Sequence, residues 1–205
     1  SIEGIESMQN FTSLVEKRRT IYHLGNKLPQ SKEEINQLIE KVTKDTPSAF
    51  NSQSSRVVVL HHDAHQRLWN ITLEALKAIV PADNFAATEA KIKSFAAGAG
   101  TILYFEDQQV VEDLQEQFSA YAANFPKWSE QAHGITAYAV WLALAEVNIG
   151  ASLQHYNELI EAAVKAEWNL PEKWALKAQM PFGSIETEAD PKAYIDTAAR
   201  FKVFG

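Results

Sequence analysis

The sequence predicts an α+β fold. Three observations predict it: helical periodicities outnumber strand-like runs, those runs are scattered rather than regularly alternating with helices, and apolar residues make up 46% of the 205. That length suits one domain, or one domain with an elaborated excursion. The residues SIEGIES, 1–7, read as an appended leader ahead of a natural start at Met8, and 8–205 is expected to form a single domain with a helical excursion at about 106–134.

From Met8 to Arg19, Phe11, Leu14 and Val15 form a helical stripe, and Arg18 continues its register. Basic residues at a helix C-terminus complement its dipole, which accounts for a charge but less well for an arginine in line with a buried stripe. Ser31 and Glu34 form a capping box before Ile35, Leu38, Ile39 and Val42, and this second helix ends near Lys44, ahead of Pro47. Arg56–Leu60 reads as a buried strand and His65–Ile79 as a helix presenting Trp69, Leu73 and Leu76. The AAGAG turn introduces a second strand, Thr101–Phe105, and an aromatic-rich amphipathic stretch runs from Val110 to Gly134. Ile135 to about Ile149 is apolar nearly all round and belongs in a core or a subunit interface. A helix at 157–167 and strands around Trp174–Met180 and Phe201–Phe204 complete the pattern.

Composition excludes several function classes. A net charge of −7 argues against nucleic acid, whose phosphates need clustered Lys and Arg. Absence of cysteine removes disulfides, thiolate nucleophiles and Cys-based zinc sites. Apolar runs stay short of a membrane span, no signal peptide is visible, and a cytoplasmic address is expected. Phosphate-loop, dinucleotide and nucleophile-elbow motifs are absent. His61, His62 and His65 have no second cluster to complete a metal sphere and read as surface histidines; Glu112, Asp113 and Glu116 read as a solvated helix face.

What remains is a set of phosphate and amide binders. Arg18, Arg19 and Thr20 form one cluster; Arg200 and Lys202 form another, two apart and so on one side of the expected C-terminal strand. Arginine suits bidentate phosphate binding. Asn51 and Gln53, also two apart, each offer a donor and an acceptor to the edge of a flat heterocycle. Phosphate plus flat heterocycle describes flavin mononucleotide (FMN).

The stretches EKRRTIY, PSAFNSQSSRVVVL, FPKWSEQAHG, NIGASLQHYN, QMPFGSI and ARFKVF, in that order, carry a resemblance. The chain resembles the FMN-dependent nitroreductase family, in the branch of small fungal and bacterial proteins related to the fatty-acid-repression nitroreductases. The resemblance implies a central, mostly antiparallel sheet surrounded by helices and an intertwined homodimer with FMN at the interface. It further implies that Arg18, Arg19 and Thr20 hold the phosphate and ribityl chain, with Arg200 and Lys202 completing the phosphate site. Ser48, Ala49, Asn51 and Gln53 would come from the other subunit, and backbone groups near Gln154, His155 and Tyr156 would face flavin N5. NAD(P)H is the implied reductant, and a nitroaromatic or quinone the implied acceptor, in a ping-pong exchange through N5. Phe50, Phe125 and Trp128 are candidates to line the acceptor pocket, with plain packing as the alternative reading.

Two departures from the family pattern concern tuning. Tyr22 stands where many members carry a lysine near the flavin N1–O2 edge, and the acidic-glycine pair beside N5 is replaced by the Gln154–Tyr156 segment. The same residues would also serve a flavin-holding regulatory protein with incidental reductase activity. A helical interaction protein without cofactor is the third reading.

Overall fold

The computed structural model describes residues 2–205, with side chains from Asn10 onward. Residue 1 and the side chains of the rest of the expected leader lie outside that description. Helix α1 (Ile2–Lys17) runs through the leader, and Arg18 follows it, its N–H still bonded to Leu14 O at 3.0 Å. The expected inward stripe is not covered by this chain, because Phe11 and Val15 are exposed. Helix α2 (Lys32–Asp45) starts at the expected capping box: Glu34 N donates to Ser31 Oγ at 3.1 Å, and Ser31 N to Glu34 Oε1 at 3.3 Å. It buries Ile35 and Ile39.

Five strands form an antiparallel sheet: β1 (Leu24–Gly25), β2 (Ser55–His61), β3 (Gly100–Asp107), β4 (Gly150–Ala151) and β5 (Trp174–Ile185). The order is β1-β5-β3-β2, with β4 also on β5. The centre of the sheet is β3, which is why TILYF is apolar at every position after its threonine: Ile102 and Tyr104 pack on one face, Leu103 and Phe105 on the other.

The first face is covered by α2 and by α6 (Phe125–Glu146), through Ile39, Val140 and Leu144. The second is covered by α3 (His62–Lys77), α4 (Ala82–Ala96) and α7 (Asn157–Glu167), through Leu68, Trp69, Phe95, Ile160 and Val164. Helix α5 (Gln108–Gln117) and a 3-10 segment at Ser119–Asn124 connect β3 to α6. The apolar helix expected from Ile135 therefore begins ten residues earlier in the chain, continuous with the aromatic stretch before it.

Three expectations are corrected. The VVVL strand is an edge strand, and of its residues only Leu60 is buried. No strand forms at Phe201–Phe204: a short helix α8 (Thr197–Arg200) precedes an irregular end in which Phe201, Val203 and Phe204 are exposed. His65 is not on the surface. It is buried, and its ring bonds Thr101 Oγ1 at 2.8 Å and Ala96 O at 3.0 Å. Trp69 Nε1 donates to the same hydroxyl at 2.9 Å.

Candidate functional site

The cationic end of the site is built where α1 stops. The two arginines diverge there. The Arg18 guanidinium lies 4.4 Å from the centre of the Trp141 ring and 5.7 Å from that of Tyr138, both on α6, a cation–π arrangement. Its Nε is buried without a hydrogen-bond partner, and so is Trp141 Nε1. Arg19 turns the other way and donates from Nη2 to Asp190 O at 2.6 Å, tying down the start of the C-terminal tail. Thr20 bridges in parallel to Ala151, and Ile21 N donates to Ala151 O at 2.9 Å. Tyr22 is exposed.

That bridge joins the arginines to the segment after β4. From Ser152 to Tyr156 the chain runs beside β5, held by one residue the sequence reading missed. The wholly buried Gln179 exchanges backbone bonds with Gln154 at 2.7 and 2.8 Å, and its Oε1 accepts from Tyr156 N at 2.8 Å. Its Nε2 donates to Asn157 Oδ1 at 2.8 Å, which fixes the amide's orientation. The Gln154 side chain turns back to Ser152 Oγ at 3.0 Å. With the N–H groups of Gln154 and Tyr156 engaged, the His155 N–H is a donor in this run that has no partner among the described residues.

The segment ends on a cavity of about 930 Å³ lined by Glu130, His133, His155, Tyr156, Asn157 and Lys177, among others. Lys177 is ion-paired with Glu130. His133 packs edge-on against Tyr104, ring centres 5.7 Å apart. Burial, outweighing the nearby Glu130, pulls its pKa down to about 4, so the imidazole is neutral near pH 7. Nothing in the local sequence distinguished His133 or Lys177; only the fold brings α6, α7 and β5 together.

The loop carrying Ser48, Ala49, Phe50, Asn51 and Gln53 lies on another side of α6. Ser48 and Gln53 line a separate cavity of about 180 Å³ with Ala132 and Thr136, whereas Glu130 and His133 face the larger one. Three residues of this loop have left-handed backbone: Phe50 at φ 58°, Asn51 at 48° and Gln53 at 51°. Such values are uncommon outside glycine and costly for a bulky side chain. Local bonds hold the turn: Gln53 N donates to Ser48 Oγ at 3.0 Å and Gln53 Nε2 to Asn51 O at 3.3 Å. The Asn51 amide is exposed and has no partner among the described residues.

Phe50, Phe125 and Trp128 pack together, an arrangement compatible with either a pocket lining or plain packing. Phe50 stacks on Trp128 at 5.8 Å and meets Phe125 at 5.3 Å. Phe118 at 5.1 Å and Tyr121 at 6.2 Å complete the cluster. Arg200 and Lys202 are exposed on the tail and do not join Arg18 within the chain. Among the described residues no group of acidic and imidazole side chains is placed to hold a metal, and no helix is long and apolar enough to cross a membrane.

The donor set suits a phosphorylated flavin. Two orphaned buried N–H groups, at Arg18 and Trp141, sit at the cationic end, a free backbone N–H lies at His155, and Thr20 links the two regions. An unpaired buried donor costs about 1–3 kcal/mol, so a ligand acceptor at Arg18 relieves a standing penalty.

Comparison with known proteins places the chain in a family. The model of the nitroreductase family matches residues 15–184. HBN1 of Saccharomyces cerevisiae is 33% identical over 193 residues, covering 93% of this chain and 96% of its own. The nitroreductase FRM2 of the same yeast is 31% identical over 190 residues, covering 91% and 94%. The structure of nitroreductase CinD from Lactococcus lactis in complex with chloramphenicol superposes with a TM-score of 0.88 at 49% identity, covering 95% of this chain and all of that one. CinD in complex with 4-nitrophenol gives 0.87 at 50% identity, over 95% of this chain and 100% of that one.

Proposed function

The chain belongs to the nitroreductase family of oxidoreductases, and from that premise we propose that it is an FMN enzyme passing two electrons from NAD(P)H to nitroaromatic or quinone-type acceptors. The observation that carries the reading is Arg18: a guanidinium with an unpartnered buried Nε, held over Trp141 beside the strand that leads to the cavity at 154–156. The nitroaromatic acceptor is supported by two of the ligands seen bound to CinD, chloramphenicol and 4-nitrophenol, both nitroaromatic compounds.

Bound FMN would supply the two-electron redox chemistry that links nicotinamide to acceptor in a ping-pong exchange. The chain's own residues bind, orient and shield. Arg18 and Thr20 would take the phosphate end, with Arg200 and Lys202 brought in by the tail. The His155 N–H would donate to the reactive edge, because Gln179 has already claimed its two neighbours. Tyr22 brings no charge, so the chain stabilises negative charge on the ring less than a lysine would.

The loop lines a different cavity from the 154–156 segment, so Ser48, Ala49, Asn51 and Gln53 would serve the ring held by a second copy. That dimer is supported by apolar side chains this chain leaves exposed: Phe11 and Val15 on α1, Ile135 and Tyr138 on α6, and Phe201, Val203 and Phe204 in the tail. The test begins with colour. Purified protein is expected to be yellow, to release FMN rather than FAD on denaturation, and to oxidise NAD(P)H faster with a nitroaromatic than in air alone. Colourless protein that also fails to take up added FMN overturns the reading.

A further inference from the structure

Glu106 is completely buried at the end of β3, and no cation among the described residues bonds it. Its carboxylate is filled by serine hydroxyls alone. Ser54 Oγ and Ser129 Oγ each donate to Oε1 at 2.6 Å, and Ser55 Oγ donates to Oε2. Ser54 and Ser55 directly follow the left-handed loop; Ser129 sits on α6, one residue beyond Trp128 and its ring contact with Phe50. A second set of bonds grips the same point. Arg56 donates to Gln53 O at 2.6 Å, to Ser55 O at 3.1 Å and to Asp107 at 3.1 Å, while Asp107 N donates to Ser54 O at 2.9 Å.

Strained backbone persists only where its surroundings over-determine it. The loop's own bonds fix its turn but not its direction; beside the ring contacts of Phe50, the hydrogen bonds that aim it converge on Glu106, Arg56 and Asp107. We propose that Glu106 is a positioning residue: it locks the Ser48–Gln53 loop to β3 and α6 so that Asn51 and Gln53 are set for the flavin ring before any flavin arrives. The inference rests on the flavin reading for its ligand, but the locking itself is a property of the protein alone. A preorganised loop pays its ordering cost on folding rather than on binding.

The experiment has two arms. In the flavin-free protein, amide hydrogen exchange is followed in wild type, Glu106→Leu, Glu106→Gln and the double variant Ser54→Ala with Ser129→Ala. Glu106→Leu removes every acceptor, and residues 48–53 are expected to exchange at least about tenfold faster, with α7 and β5 unchanged. Glu106→Gln keeps an acceptor for two hydroxyls and a donor that Ser55 can accept, so it should fall near wild type. If Glu106→Leu does not fold, the serine pair gives the same readout with the carboxylate in place.

In the second arm, Glu106→Leu should weaken FMN and riboflavin by the same factor, on the order of tenfold, because the loop holds the ring. Arg18→Ala should weaken FMN selectively and leave loop exchange unchanged. A general loss of stability would raise exchange in α7 and β5 as well. Wild-type exchange in residues 48–53 of both Glu106→Leu and the serine pair overturns the proposal. If loop exchange rises as expected in the variants while the wild type takes up no flavin, the lock stands and the flavin reading is refuted instead.

Discussion

A neutral histidine beside an ion pair is a pH-sensitive part. His133 has its pKa held near 4 by burial, with Glu130, His155 and Lys177 around it, and burial also lowers His65. The folded pKa lies below the unfolded 6.5, so between those values the unfolded chain binds protons the folded chain does not. The stability His133 contributes is complete above pH 6.5 and is lost as pH falls toward 4, and His65 acts in the same direction. The steepest slope that His133 gives is about 1.4 kcal/mol per pH unit. Thermal melts from pH 7 to 4.5 should show a falling midpoint, and His133→Gln should flatten that fall; an unchanged slope would place His133 in water. Arg18 offers a second test at this scale. Its truncation to alanine removes a charge-assisted bond worth about 1.5–3 kcal/mol, so FMN affinity should drop at least about tenfold while riboflavin, lacking phosphate, is unaffected.

At the scale of elements, the tightest passage is where β5 runs between β1 and the turn before β3. A Cβ on Gly183 would stand 2.1 Å from Gly25 O and 3.1 Å from Ala99 N, both backbone atoms that cannot step aside. Gly183→Ala should cost about 1–3 kcal/mol or more and lower the melting midpoint without altering α3 or α4. Legibility followed the same physics. The capping box placed the start of α2, and the uniformly apolar TILYF placed the central strand, because both signals are local. Helix α4 went unread although Phe85, Ile92 and Phe95 share a face, since intervening alanines blur its periodicity. VVVL looked buried from composition alone, but an edge position depends on strand order, which no short run encodes. The site divides likewise: arginines, loop amides and rings showed in the sequence, whereas Gln179, His133 and Glu106 acquire roles only through contacts far along the chain.

For the whole molecule, the decisive question is ownership of the site. A mixed dimer can settle it, with one subunit carrying Arg18→Ala and the other Asn51→Ala with Gln53→Ala. Shared sites concentrate all the damage in one site and leave the other intact, so half the FMN should bind as in wild type. If both sites are impaired, each subunit builds its own. The tail gives the dimer reading a temporal side. Both buried clusters are assembled from residues between Leu28 and Phe182, and nothing after Asp190 belongs to either. A subunit can therefore complete its core with the last fifteen residues still loose. Refolding should then proceed in two stages: an early one whose rate ignores protein concentration, and a later one that accelerates with it as tails and apolar helix faces find a second copy. Tight FMN uptake should track the second stage, making the flavin a clock for assembly.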